Sequence, residues 1–157
     1  MVFCYIKQYV SDGCLKLCTY CFDSEAQGKK DLQLCLNPNP VHTEKFFHLE
    51  FGIDGINRFE LINPHTGETT DADAGRLQYR SFRTNDQQGY YWCGEITVPA
   101  QLINEYFATF LEEKSIILLN FYRIFENSTD HASLFPDSEN NIFNKHRTME
   151  EFIILNY

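Results

Sequence analysis

Two Asp-Gly pairs, each set between runs of strand-like sequence, constrain the fold of this chain more than any other feature. Asp12-Gly13 separates residues 2–10 from residues 14–22, and Asp54-Gly55 separates residues 45–53 from residues 56–62. Residues 45–53 alternate most clearly, since apolar side chains occupy every second position. Asp-Gly between two such runs is a strong hairpin signal. The sequence therefore predicts two antiparallel β-hairpins.

Further strands are predicted wherever the chain is continuously apolar or alternates. Residues 115–125 are apolar through the first half and alternate in the second, as in a central strand that gains polar groups midway. The other predicted strands are residues 31–36, 75–83, 90–98 and 151–156. One helix is predicted after Pro99, where apolar residues recur at spacings of three and four: Leu102, Ile103, Tyr106, Phe107, Phe110 and Leu111.

These elements predict an all-β chain with one short helix, arranged as an antiparallel β-sandwich. The aromatic fraction of 15% supports this fold class, because aromatic residues favour sheets. A chain of 157 residues is long enough to bury one core, so we expect a single β-sandwich domain over residues 1–157.

The net charge of −9 excludes two classes of partner. Nucleic acid and anionic membrane surfaces would be repelled, and no basic run offsets the charge. No apolar run approaches the roughly 18 residues that a membrane helix needs. The first residues do not resemble a signal peptide, so a cytoplasmic address is expected.

Under that address the six cysteines are expected to be reduced thiols. A disulfide between Cys4 and Cys18 remains an alternative. A zinc site built from Cys14, Cys18 and Cys21 is disfavoured, because the first two lie about 13 Å apart along a strand and the third faces the opposite side.

Four segments, in this order, share motifs with one known family. Residues 46–55 resemble an aromatic strand carrying F-E-F-N, and residues 92–99 resemble W-x-x-E-I-x-I-P leading into a short helix. Residues 120–123 read N-F-Y-R, and residues 146–155 resemble a closing F-H-x-P-E-x-F-G-x-L. Together they resemble the family-9 carbohydrate-binding modules and their DOMON-like relatives.

This resemblance implies a jelly-roll-like sandwich that binds a saccharide against aromatic rings without catalysis. It also implies structural calcium in some members, for which Asp71 and Asp73, with Glu68, are the candidates here. The residues themselves favour a solvated turn, because an EF-hand loop starting at Asp71 would place Arg76 and Phe82 where glycine and glutamate are required.

The candidate ligand-binding residues are polar or aromatic side chains that fall inside predicted strands: Glu50, Arg58, Arg80, Trp92, Asn120, Tyr122 and Arg123. Such a set can form a solvated outer sheet face with cross-strand ion pairs. It can also form a face where charged and amide groups bind sugar hydroxyls while Tyr79, Tyr90, Tyr91 or Tyr122 stacks on the ring.

Two functions follow from this sequence. The first is a non-catalytic module that binds a saccharide or another small polar ligand. The alternative is a structural or interaction protein that keeps the sandwich without sugar binding. The single Trp favours this alternative, because sugar-binding members of the family that the chain resembles grip the sugar between two tryptophans. No nucleophile elbow, phosphate loop or dinucleotide fingerprint is present. A glycosidase pair drawn from Glu50, Glu60 and Glu95 remains open, since the separation of the carboxylates is not readable from sequence.

Overall fold

The computed structural model describes residues 4–22, 30–87, 89–125, 131–135 and 141–155. The described part of the chain contains eleven strands: β1 Cys4–Ser11, β2 Cys14–Phe22, β3 Lys30–Asn37, β4 Phe46–Gly52, β5 Gly55–Ile62, β6 Thr69–Asp71, β7 Gln78–Asp86, β8 Gly89–Val98, β9 Ile116–Phe125, β10 His131–Ser133 and β11 Glu150–Ile153. One α-helix, α1, spans Ala100–Phe107, and 3₁₀ helices span Ala74–Arg76 and Ile142–Thr148.

The strands form two antiparallel sheets that pack face to face. The four-stranded sheet has the order β1-β2-β8-β7. The seven-stranded sheet has the order β10-β9-β3-β4-β5-β6, and β11 pairs with the same strand β9 as β10 does. This arrangement confirms an all-β antiparallel sandwich, while the jelly-roll connectivity stays a prediction.

Both predicted hairpins are present. Asp12 and Gly13 adopt φ angles of 54° and 72°, and they join β1 to β2 with Ser11 opposite Cys14. In the second hairpin Gly52 pairs with Gly55, whose φ of 140° suits glycine alone. The pairing of β4 with β5 also shifts register between Glu50 and Phe51. The alternation of the sequence did not reveal this irregularity.

The main core fills the space between the sheets. Leu17 and Ile96 of the four-stranded sheet and Leu34 and Leu49 of the other are all buried in it. A second cluster lies on the outer side of the seven-stranded sheet, where the segment around the 3₁₀ helix Ile142–Thr148 covers it: Cys35, Phe46, Ile62, Tyr122 and Met149, with Leu118, Ile142 and Phe143. The seven-stranded sheet is therefore buried on both faces over part of its width.

Helix α1 closes the core between β8 and β9. Leu102, Ile103 and Phe107 are buried, and the Phe47 and Phe107 rings are 4.8 Å apart. The predicted apolar stripe ran through Leu111, but the helix ends at Phe107 because Ala108 turns into the left-handed region at φ 50°. Phe110 beyond this turn is exposed.

Some predicted boundaries are wrong for local reasons. Residues 74–76 form a 3₁₀ helix rather than the start of a strand, because the Asp73 carboxylate accepts a hydrogen bond from the Gly75 N–H at 3.0 Å. Strands β6 and β10 and the 3₁₀ helix Ile142–Thr148 were not predicted. Residues 2–3 and 156 of the predicted first and last strands lie outside the described residues.

The expectation of six reduced thiols is wrong for one pair. Cys4 and Cys21 form a disulfide between directly paired residues of β1 and β2. The alternative pairing of Cys4 with Cys18 is excluded by the register, since Cys18 lies opposite Lys7. Cys14, Cys18, Cys35 and Cys93 are free thiols.

Candidate functional site

Four of the predicted ligand residues share the outer face of the seven-stranded sheet. Glu50 pairs with Arg58, and Asn120 and Tyr122 alternate onto the same side of β9. Gln33 lies between Tyr122 and Glu50 in the register, so these three form one cross-strand row. Alternation along β9 predicted that Asn120 and Tyr122 share a face, but the sequence did not show that Glu50 and Arg58 join them or what covers them.

Asn120 and Tyr122 are buried and hold other parts of the chain. The Asn120 amide nitrogen donates to the Thr148 carbonyl at 2.9 Å, and its oxygen accepts from the Phe135 N–H at 3.2 Å. The Tyr122 hydroxyl bonds the Thr148 hydroxyl at 2.6 Å, and the Lys145 ammonium lies 3.6 Å from the Tyr122 ring centroid. Both side chains therefore bind the 3₁₀ segment that covers them.

The rest of this face carries an ion-pair network. The Arg58 guanidinium lies 3.9 Å from Glu50 and 3.8 Å from Glu60, and the His48 Nδ1 lies 3.2 Å from Glu60. Burial lowers the pKa of His48, although Glu60 opposes the shift. The cross-strand ion pairs are those of the alternative that the sequence left open, but only Arg58 among them is well solvated.

Trp92 and Arg123 lie between the sheets. The Trp92 side chain is only 3% exposed, and its ring meets Phe51 edge to face at 6.4 Å. Arg123 is 4% exposed and donates from Nη2 to the Phe22 carbonyl at 3.1 Å. Neither side chain presents a surface on which a solvent-borne ligand could stack.

Arg80 lies on a different surface, the outer face of the four-stranded sheet, which we call the open face. Its cross-strand rows are set by the registers of β1, β2, β8 and β7. One row contains Tyr5, Tyr20, Cys93 and Phe82. Tyr5 is 52% exposed and Phe82 is 38% exposed, and the Tyr5 and Tyr20 rings lie 6.0 Å apart. The row therefore carries aromatic rings on β1, β2 and β7, which we call the aromatic strip. Its two outer rings, Tyr5 and Phe82, reach solvent, whereas Tyr20 is half-buried and Cys93 is buried.

The next row carries charge. It contains Lys7, Cys18, Glu95 and Arg80, two residues along each strand from the aromatic strip. Arg80 donates to one Glu95 oxygen through Nε at 2.9 Å and Nη2 at 2.5 Å. The Arg80 guanidinium also lies 5.7 Å from the Phe82 ring, so the aromatic and charged rows are in contact.

The thiols of these two rows, Cys93 and Cys18, are not activated. Burial raises the pKa of Cys18 and of Cys93, and the Glu95 carboxylate raises both further. A thiol whose pKa is raised stays protonated near neutral pH, so neither is a ready nucleophile. Burial also raises the pKa of Tyr20, which keeps its hydroxyl neutral.

The other predicted side chains occupy separate places. The Tyr79 hydroxyl donates to the Gly52 carbonyl between the sheets, Tyr90 is exposed at one end of β8, and Tyr91 lies on the open face against Phe22. Gly89 is required beside this pair, because a Cβ there would lie 2.7 Å from the Phe22 ring.

The calcium candidates do not converge. Asp73 caps the 3₁₀ helix that follows it, and Asp71 lies on β6 opposite Glu60. Across the described ranges, no group of three or more His, Cys, Asp or Glu side chains is placed to hold a metal ion.

The aromatic strip is the part of this site that sequence reasoning missed. The β1–β2 hairpin was predicted, and its register alone places Tyr5 opposite Tyr20. That signal could have identified two of the three rings of the strip. The contribution of Phe82 depends on β7 joining through β8, a long-range pairing that the pattern does not specify.

None of the helices in the described residues is long and apolar enough to cross a membrane. Comparison with known families and with curated proteins finds no match. A solved structure is similar: that of "a putative carbohydrate-binding protein" from Bacteroides uniformis ATCC 8492. The match has a TM-score of 0.67 and 12% identity, and it covers 98% of this chain and 78% of the other. At this identity the likeness shows that the two chains share a fold.

Proposed function

We propose that this chain is a non-catalytic binding module that holds a saccharide on the open face. The observation that carries the proposal is the aromatic strip of Tyr5, Tyr20 and Phe82, whose outer rings Tyr5 and Phe82 are exposed, beside the Arg80–Glu95 pair. A sugar offers apolar C–H faces and a rim of hydroxyls. It is matched by a surface that places flat rings beside charged hydrogen-bonding groups.

The fold likeness supports this proposal, since the similar structure is of a protein described as carbohydrate-binding. The narrower relationship to family-9 modules and DOMON-like proteins is also part of the proposal. In sugar-binding family members two tryptophans grip the ring, whereas the single Trp92 here is buried between the sheets. Tyr5, Tyr20 and Phe82 would take the place of those tryptophans.

The non-catalytic assignment is supported by how the charged groups of the open face are used. Glu95 binds Arg80, so it is tied as an ion pair rather than paired with a second carboxylate. Glycoside hydrolysis needs two carboxyl groups flanking one bond, about 5 to 9.5 Å apart. Glu50 and Glu60 lie on the outer face of the other sheet, where they surround Arg58.

The proposal is tested by titrating the chain with neutral and acidic oligosaccharides while following amide chemical shifts. Shift changes confined to the open face are expected, and Tyr5→Ala or Phe82→Ala should weaken binding about tenfold or more. Phe110→Ala is the matched control, because Phe110 is 60% exposed but lies beyond helix α1. The proposal fails if no saccharide shifts these amides at millimolar concentration.

If no saccharide binds, the alternative function of an interaction protein can be tested directly. If the same aromatic strip forms an interface between proteins, light scattering should show a dimer that Tyr5→Ala dissociates. A dimer of this kind without saccharide binding would establish the interaction protein instead.

A further inference from the structure

Two lysines flank one tyrosine at the edge of the open face. Tyr9 pairs with Lys16, and Lys7 lies two residues before Tyr9 on the same side of β1. The Lys7 ammonium lies 5.8 Å from the Tyr9 ring centroid, and the Lys16 ammonium lies 5.9 Å from it. Tyr9 is 44% exposed, Lys7 is exposed and Lys16 is half-buried, so an exposed ring lies beside both lysines.

Among the described residues, no acidic neighbour is ion-paired with either lysine. No carboxylate of the described residues lies within 4.0 Å of either ammonium. In the lysine and Arg80 rows of the open face the acidic side chain is Glu95, and Arg80 binds it at 2.5 Å. Asp12 lies in the adjoining turn and accepts from the Ser11 hydroxyl, while Asp86 lies at the far end of β7 beside Tyr91.

This pair of cations contrasts with the rest of the chain. The protein carries a net charge of −9, and Arg58 and Arg80 are each paired with a glutamate. Two ammonium groups held about one ring therefore form a local positive site in a negatively charged protein. Such a site favours an anionic group on a ligand that reaches across the neighbouring rows.

We infer that the saccharide bound by the open face is acidic, with a carboxylate or a sulfate ester placed between Lys7 and Lys16. This inference rests on the proposed function, because the aromatic strip supplies the contact to the sugar ring. Tyr9 lies two rows from Tyr5, which is about 13 Å along a strand. An oligosaccharide rather than a single sugar would therefore span both parts of the site.

The test uses ligands that differ only in charge. The intact chain is titrated with an oligogalacturonide and with its methyl ester, and in a second arm with a sulfated oligosaccharide and its desulfated form. We expect the acidic member of at least one pair to bind about five- to tenfold more tightly at low salt, and the difference to shrink at high salt. The two arms distinguish a carboxylate from a sulfate ester.

The variants separate this inference from the proposed function. Lys7→Gln with Lys16→Gln should abolish the preference for the acidic ligand, while the chain still binds the neutral one. Lys45→Gln is the matched control, because Lys45 also lies over an aromatic ring, 5.7 Å from Phe107, but away from the open face. Equal binding of acidic and neutral ligands by the unmodified chain would overturn the acidic inference alone. Retention of the preference in the double variant would also overturn it, whereas the absence of any saccharide binding would overturn both.

Discussion

Cys4 and Cys21 lie directly opposite each other in the β1–β2 hairpin, with Cα atoms 4.4 Å apart, and their sulfurs are bonded. Both face the core between the sheets, while Cys18 faces the open side of the same strand. Cys4 and Cys21 each lie seven residues from the Ser11–Cys14 pair that closes the hairpin, so an even register places them opposite each other. The disulfide fastens the edge strand β1 to its sheet at the end far from the hairpin turn.

Reduction of this disulfide is expected to lower the free energy of unfolding by up to about 3 kcal/mol, because the bond closes a loop between residues 17 apart in sequence. Urea unfolding followed with and without a reductant measures the difference. The variant Cys4→Ser with Cys21→Ser should show the same loss and no response to reductant. Equal unfolding midpoints for the oxidised and reduced protein would contradict the prediction.

The stability of the protein should also fall as pH drops through the range where histidine titrates. His48 is 2% exposed, its Nδ1 contacts Glu60, and its buried Nε2 has no hydrogen-bond partner in the described structure. Burial lowers the pKa of His48 in the folded protein. The unfolded chain, with a histidine pKa of about 6.5, therefore takes up a proton first, and stability is lost below that pH.

The measurement is urea unfolding at pH values between 7.5 and 5. The loss attributable to His48 cannot exceed about 1.4 kcal/mol per pH unit, which is the effect of one proton. His48→Gln should remove this part of the pH dependence, whereas His42→Gln should keep it because His42 is exposed beside Glu44. An unchanged pH profile in the His48 variant would show that another group is responsible.

Local patterns in the sequence predicted much of this fold. Both Asp-Gly hairpins and the apolar strand that begins at Ile116 are present, since turn chemistry and alternation act over a few residues. The helix after Pro99 is present as well. It ends at Ala108, which adopts the left-handed conformation without the glycine that usually marks a helix end in a sequence. Side-chain alternation also correctly placed Asn120 and Tyr122 on one face.

The candidate site was harder to predict, because it depends on which face is covered. Nothing in the alternation of β9 shows that Ile142–Thr148 packs on Asn120 and Tyr122, since that segment lies at least twenty residues away and matches no periodic pattern. The open face likewise depends on β8 joining β2 to β7. Long-range pairing thus determines which polar side chains are covered by other parts of the chain and which stay exposed on a sheet face.

Asn120→Ala should cost stability and leave ligand binding intact. The substitution leaves the Thr148 carbonyl and the Phe135 N–H without their hydrogen-bond partner, and we expect a loss of about 1 to 3 kcal/mol in the free energy of unfolding. Asn104→Ala, at an exposed position of α1, serves as the control and should change stability little. Lost saccharide binding at unchanged stability would instead return Asn120 to the ligand-binding residues.

Arg80→Ala and Arg58→Ala form a matched pair that decides which sheet carries the site. Each arginine is more than half exposed and ion-paired with glutamate, so each substitution should change stability by less than about 1 kcal/mol. Arg80 lies beside the aromatic strip, whereas Arg58 lies on the opposite side of the sandwich. Calorimetric titration with an oligosaccharide that binds the unmodified chain should therefore show about tenfold weaker binding for Arg80→Ala and no change for Arg58→Ala. The reverse outcome would place the ligand on the outer face of the seven-stranded sheet, because only there does Arg58 meet Glu50 and Glu60.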